Sequence, residues 1–177
     1  RANPDRASYG SSGIGSSEHL GMELFAQRTD TRPTHVPYPG GGAATTDLMA
    51  GTLSLALLNM ATVVPQVQAG RLRAVAVGGR TRHPLLPEVP TIMEAGVPDF
   101  TSGSWHSIVA PRGMADPLAA RIQAALTTTL RVPEVGQRLA ATGFGIEATS
   151  AAELTTTIET ETARWRAVVR RAGIAAG

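Results

Sequence analysis

A chain of 177 residues is long enough for one full domain, or for one domain with part of a second, and with 42% hydrophobic but only 4% aromatic residues its core must be aliphatic. The absence of cysteine excludes disulfides, thiolate metal sites and thiol redox chemistry while leaving the compartment open. All 16 basic residues are arginine against 14 acids, a net charge of +2, and most lie scattered without the aromatic interleaving of a nucleic-acid surface. Arg164, Arg166, Arg170 and Arg171 fall near the end of a predicted helix, where cations complement the dipole, so nucleic acid is not an expected partner. No apolar run approaches the roughly 20 residues of a membrane span, and no signal-peptide pattern opens the chain. The start at Arg1-Ala2-Asn3-Pro4, without methionine, reads as that of a processed or truncated chain.

In chain order the pattern predicts a strand over 7–11, a helix over 17–28, a strand over 34–36 and a helix over 43–50 closed by Gly51. A strand over 53–58 and a helix over 62–69 follow, with Pro65 expected in the helix's first turn. Residues 72–77 are nearly continuously apolar, as expected of a strand covered on both faces. Prolines 84, 87, 90 and 98 then mark a connector over 78–98 with one helical turn at 91–95. Beyond it come a strand over 104–109 and a helix capped by Asp116 with Pro117 in its first position. Leu118, Ile122, Ala125, Leu126 and Leu130 are that helix's expected buried face. A helix over 133–141, a strand over 145–148 and a helix over 150–172 complete the chain. The last opens on a Ser150/Glu153 capping box and carries a Leu154, Ile158, Trp165, Val169 stripe. This is α/β alternation without an internal repeat.

The run Ser11-Ser12-Gly13-Ile14-Gly15-Ser16-Ser17 ends the first strand and opens the first helix. The first N–H groups of a helix lack intrahelical acceptors and carry the positive end of its dipole, so a carboxylate or phosphate settles there without a cationic side chain. Taken alone, the run reads as a helix cap made by Ser16 or Ser17. Repetition favours the anion site, because the strand at His35-Val36 ends in Tyr38 and Gly40-Gly41-Gly42 and the next ends at Asn59. If the intervening helices are crossovers, the strands are parallel and all three loops emerge at one carboxyl edge, where open sheets bind ligands. Tyr38, stiffened between two prolines, presents a ring and hydroxyl to such a site, and Asn59 offers both donor and acceptor.

Other chemistries fit poorly. Gly13-Ile14-Gly15 lacks the third glycine of a dinucleotide fingerprint, and no lysine exists to complete a phosphate-binding loop, so no nucleotide cofactor is expected. No Gly-x-Ser-x-Gly window occurs. His19, His35, His83 and His106 show no metal-ligand spacing; His106, beside Trp105 and Ser107, is the candidate base if the chain is an enzyme.

Several segments together resemble one family: Tyr9 to Leu20; His35-Val36-Pro37-Tyr38 with its glycines; Asp47-Leu48-Met49-Ala50-Gly51; Gly70 to Val77; Pro87-Glu88-Val89-Pro90-Thr91 with Glu94-Ala95-Gly96; and Ala110-Pro111-Arg112-Gly113. In order and spacing they are similar to the tripartite tricarboxylate transporter substrate-binding proteins, the TctC-like or Bug receptors. The resemblance implies a type II periplasmic-binding-protein fold, a parallel or mixed sheet flanked by helices, in which a small carboxylate is trapped between two lobes. It implies a periplasmic receptor that delivers a di-, tri- or aromatic carboxylate to membrane permease subunits, with no cofactor and no bond made or broken. Ser12, Gly13, Gly15, Ser16, Ser17, His19, Tyr38, Gly41, Gly42 and Asn59 would line one wall of the cleft.

Three departures from the family qualify this. Pro39 stands where a lysine or similar residue is usual, and Leu58 stands where an acid often precedes the asparagine, which disfavours an amino-acid ligand for want of a counter-charge to its ammonium. The family's opening strand and second glycine-rich loop are absent. Residues 1–103 would then be a nearly complete second lobe, and 104–177 a return segment of an incomplete first lobe. Leu118, Ile122, Leu154 and Ile158 would face a sheet without its partners, giving self-association, a partner chain or marginal stability. Two rival readings are the effector domain of a LysR-like cytosolic regulator and a hydrolase using the serine loop as an oxyanion hole.

Overall fold

The computed structural model describes residues 7–174; the Arg1-Ala2-Asn3-Pro4 start lies outside them. The first part of the chain alternates as expected: β1 (Ser8–Ser11), α1 (Ser17–Thr29), β2 (Thr34–Pro37), α2 (Gly41–Met49), β3 (Leu55–Ala56) and α3 (Met60–Gln68). The strands form one sheet in the order β2-β1-β3, and both pairings are parallel, with Ser8 opposite Thr34 and Tyr9 opposite Leu55. Because each crossover is a helix, every strand ends at the same edge and α1, α2 and α3 all begin there. β1 lies between its neighbours, and Tyr9, Gly10 and Ser11 are buried.

Two compact units divide the chain, one holding residues up to Ser104 together with those from Trp165 on, the other Trp105–Arg164. In the first, Leu24, Phe100 and Val168 form a buried cluster with Phe25, Ile92, Met93, Val97 and Trp165 packed against it. Aromatic residues are few, yet Phe100 is among the largest fully buried side chains and meets Phe25 edge-on at 6.2 Å. The second unit contains α4 (Asp116–Leu130), α5 (Pro133–Ala141) and the first part of α6 (Ala151–Ala172). The Ser150/Glu153 box forms as expected, Glu153 Oε2 accepting the Ser150 N–H at 2.7 Å and Ser150 Oγ the Glu153 N–H at 3.2 Å.

Several elements differ from expectation. The 53–58 strand pairs only at Leu55 and Ala56, since Leu53 turns inward over Gly10, where it is buried. Residues 72–76 form no strand, Leu72 lying in a bend and Val75 being 77% exposed; within the run Val77 alone forms a bridge, to Thr91. An apolar run becomes a strand only where a neighbour offers its backbone, and among the described residues none lies beside this one. The same holds for 104–109, where Ile108 and Val109 are exposed. Over 145–148, Ala148 takes a left-handed φ of 48° that no regular strand accommodates.

The 91–95 segment is a hydrogen-bonded turn, closed by reciprocal bonds between Thr91 and Glu94. Helix α3 begins at Met60, two residues early, so Pro65 falls inside the helix beyond its first turn. Ala115, not Asp116, is the N-cap of α4, and Asp116 is its first helical residue. The expected buried face of α4 is not buried: Leu118 and Ile122 are exposed, and Leu126 and Leu130 are half-buried. On α6, Val168 is the buried residue and Val169 is half-buried.

Ser102 N–H donates to Gly78 O at 2.8 Å, and a β-carbon on Gly78 would strike the Ser102 carbonyl oxygen. Gly78→Ala should therefore cost about 1–3 kcal/mol in urea unfolding. Gly103→Ala, whose methyl would meet nothing, should stay within about 0.5 kcal/mol of the parent chain.

Candidate anion-binding site

The loop from β1 to α1 is built by its glycines and serines. Gly13 and Gly15 have φ of 131° and 77°, a region that a β-carbon disfavours. Ser11 Oγ, fully buried at the end of β1, accepts the Gly13 N–H at 3.2 Å and lies 2.7 Å from His35 Nε2. Ser16 is the N-cap of α1, its Oγ accepting the His19 N–H at 3.2 Å. The second loop is tied to the first, since Tyr38 N–H donates to Ser11 O at 3.1 Å. Tyr38 O–H donates to Asp47 Oδ2 at 2.7 Å, which raises its pKa and turns the ring onto α2. Gly41 and Gly42 open α2, and a β-carbon on Gly41 would touch Thr62 of α3 at 3.4 Å, so the starts of α2 and α3 lie together.

Asn59 is the N-cap of α3 by its backbone, while its side chain turns elsewhere. Its Nδ2 donates to Glu18 Oε1 at 2.6 Å and its Oδ1 accepts from Ser104 Oγ at 2.8 Å. Glu18 Oε2 accepts from Ser12 Oγ at 2.7 Å and from Ser17 Oγ at 3.2 Å. Glu18, in the first turn of α1, thus joins the β1–α1 loop to the end of β3. Sequence reasoning missed it, weighing only Ser16 and Ser17 as a helix cap or as anion donors; an acid in the first turn beside two loop serines was the available signal. The edge therefore holds a carboxylate even though position 58 is leucine.

His19 lies beneath the loop. Its Nδ1 accepts the Gly15 N–H at 3.0 Å, which leaves the ring proton on Nε2, 3.8 Å from Glu23 Oε1. Its ring stacks on His35 with centroids 3.8 Å apart and planes 11° from parallel, and His35 stacks in turn on Tyr9 at 4.9 Å. Tyr9 O–H donates to Glu23 Oε1 at 2.9 Å; burial, reinforced by this bond, raises its pKa. Burial pushes His35 down to about 4, and the neighbouring His19 adds to the shift. Burial also lowers His19, opposed by Glu23.

The ten side chains and glycines singled out from sequence all lie at this edge or in the turns that build it. They are not all outward donors: Ser12, Ser17 and Asn59 face Glu18, Tyr38 faces Asp47, and His19 supports the loop from below. What the edge offers outward is backbone N–H at three helix starts. His106 lies in the second unit with Phe144 edge-on at 5.2 Å.

A parallel sheet whose chain crosses from one side of its central strand to the other, with helix starts gathered at the carboxyl edge, is the arrangement of an α/β ligand-binding domain. Residues 1–174 match the tripartite tricarboxylate transporter family receptor, TctC, and the chain belongs to that family of solute receptors. An R. palustris protein solved with adipate superposes with a TM-score of 0.90 at 34% identity, the match covering 99% of this chain and 58% of that one. A structure described as a periplasmic transporter gives 0.87 at 32% identity, with coverage of 98% and 58%. MatC of Rhodopseudomonas palustris, with bound malate, gives 0.82 at 30% identity, with coverage of 95% and 58%. The chain spans about half the length of the curated relatives it matches, including 51% of a Pseudomonas sp. (strain P51) protein to which it is 34% identical over 170 residues.

Both stacked imidazoles are held neutral in the folded chain but protonate freely when it unfolds. The unfolded state then binds more protons, and stability should fall as pH drops from 6.5 toward about 4. The part due to His35 is on the order of 2 kcal/mol after allowing for partial solvent contact. Urea unfolding at about pH 7 and about pH 5 measures it, and His35→Gln should flatten the slope; an unchanged slope assigns the pH dependence to other groups.

Proposed function

We propose that this chain is the ligand-holding part of a periplasmic receptor that captures a small di-, tri- or aromatic carboxylate and presents it to the permease subunits of a tripartite tricarboxylate-type transporter. The observation that carries the proposal is the meeting of the α1, α2 and α3 starts at one edge of a parallel sheet, where backbone N–H groups and helix dipoles together favour an anion. The adipate and malate held by related proteins are anions of this kind. The loop residues Ser12, Gly13, Gly15, Ser16 and Ser17, with His19 beneath them, Tyr38, Gly41, Gly42 and Asn59, form the wall.

Residues 1–103 correspond in this reading to one lobe and 104–177 to a return segment of the other. The exposed apolar side chains Leu118, Ile122 and Ile158 fit a surface that another polypeptide, or a second copy of the chain, covers. No turnover is expected. Ser11 and His35 are in contact, but Ser11 is fully buried and the His35 imidazole is too weak a base near neutrality to activate it.

A thermal-shift series with adipate, malate, citrate and benzoate, with sulfate as control, tests the reading. A carboxylate present at a hundred times its dissociation constant should add about 2.7 kcal/mol, or roughly 5–10 °C. Gly42→Glu separates binding from folding: a β-carbon there meets nothing and an acid suits a helix start, so Tm should hold or rise while the carboxylate shift is lost. A retained shift would place the ligand elsewhere.

A further inference from the structure

Glu18 is 4% exposed, and its carboxylate accepts three side-chain hydrogen bonds: from Ser12, Ser17 and Asn59. Among the described residues no cation pairs with it. Its compensation comes from those donors and from the start of α1, the same positive potential that would draw a ligand anion. We propose that Glu18 is the specificity-determining residue of this edge: it takes up the side-chain donors and sets a fixed negative charge beside the ligand, so the site favours carboxylates of low charge over di- and trianions. This rests on the carboxylate reading above and narrows it.

Two effects act in the same direction. Bare helix starts attract an anion more strongly as its charge grows, but the repulsion from Glu18 grows in the same proportion. Moreover, the Ser12 and Ser17 hydroxyl protons and the Asn59 amide already point at Glu18, so the ligand is left with backbone N–H groups. Those can satisfy one carboxylate head, but they are neutral and cannot balance a second or third charge.

Glu18→Gln is nearly isosteric and tests both effects together. Its Oε1 can still accept from Asn59 Nδ2, while its Nε2 donates to the Ser12 and Ser17 oxygens and turns their protons outward. Titration calorimetry with benzoate, adipate, malate and citrate should show the parent chain binding in the order benzoate, then adipate and malate, then citrate. Glu18→Gln should tighten every ligand, by a factor that grows roughly fivefold with each added ligand charge. A residue that merely braces the loop would not reorder ligands by charge.

If the parent chain binds and Glu18→Gln binds no tighter, or tightens all ligands by one common factor, the role of Glu18 is overturned and the carboxylate reading stands. If neither chain binds any of the four at millimolar concentration, the carboxylate reading falls and this inference with it. Should Glu18→Gln fail to fold, the parent series decides: affinity falling with ligand charge supports the assignment, and affinity rising with charge overturns it.

Discussion

The parallel pairing of β1 between β2 and β3 is the constraint from which the rest follows. Parallel neighbours cannot be joined by a tight turn, so the chain must cross over through helices, and every crossover begins where a strand ends. The two crossover helices, α1 and α2, therefore start at one edge, where α3 also follows β3, and with them come three sets of N–H groups without intrahelical partners. In the proposed function the edge favours an anion because of how the strands are connected, before any side chain is considered. The side chains then adjust that potential, and in the role proposed for it Glu18 does so by opposing it.

The chemistry of the edge is layered. Outward lie backbone groups held at fixed positions by glycines with positive φ and by the Ser16 cap. Behind them is a network of side chains that satisfy one another, from Ser12 through Glu18 and Asn59 to Ser104. Deeper still, the Tyr9, His35 and His19 rings stack beneath the loop and reach it through Ser11 and Gly15. Such an arrangement braces the β1–α1 loop, because Gly13, Gly15 and the start of α1 are each held by hydrogen bonds within the chain.

Where local chemistry decides, the chain was readable from sequence. Ser16 caps α1, Ser150 and Glu153 form their box, and α5 keeps its expected bounds because each depends on neighbours within a turn. Readings that needed a distant partner fared worse. Among the described residues the segments 72–77, 104–109 and 145–148 find no strand to pair with, Val77 alone forming a bridge, and α4 has an apolar stripe without a covering surface. At the site, sequence named Ser12, Ser17 and Asn59 but could not show that all three turn to one carboxylate, because Asn59 stands 41 positions from Glu18.

The cluster of Leu24, Phe100 and Val168 has a consequence for how the protein is made. Gln27 Nε2 donates to Val168 O at 3.1 Å across 141 positions of chain, and the buried face of α1 is completed only by the end of α6. A ribosome delivers α1 and the sheet long before it delivers Val168. During that interval Phe100 and Leu24 lack the cover of Trp165 and Val168, and the nascent chain carries apolar surface that closes when the end of α6 arrives. Docking of the end of α6 is thus the event that completes this core, and it can follow only once residue 168 has been made.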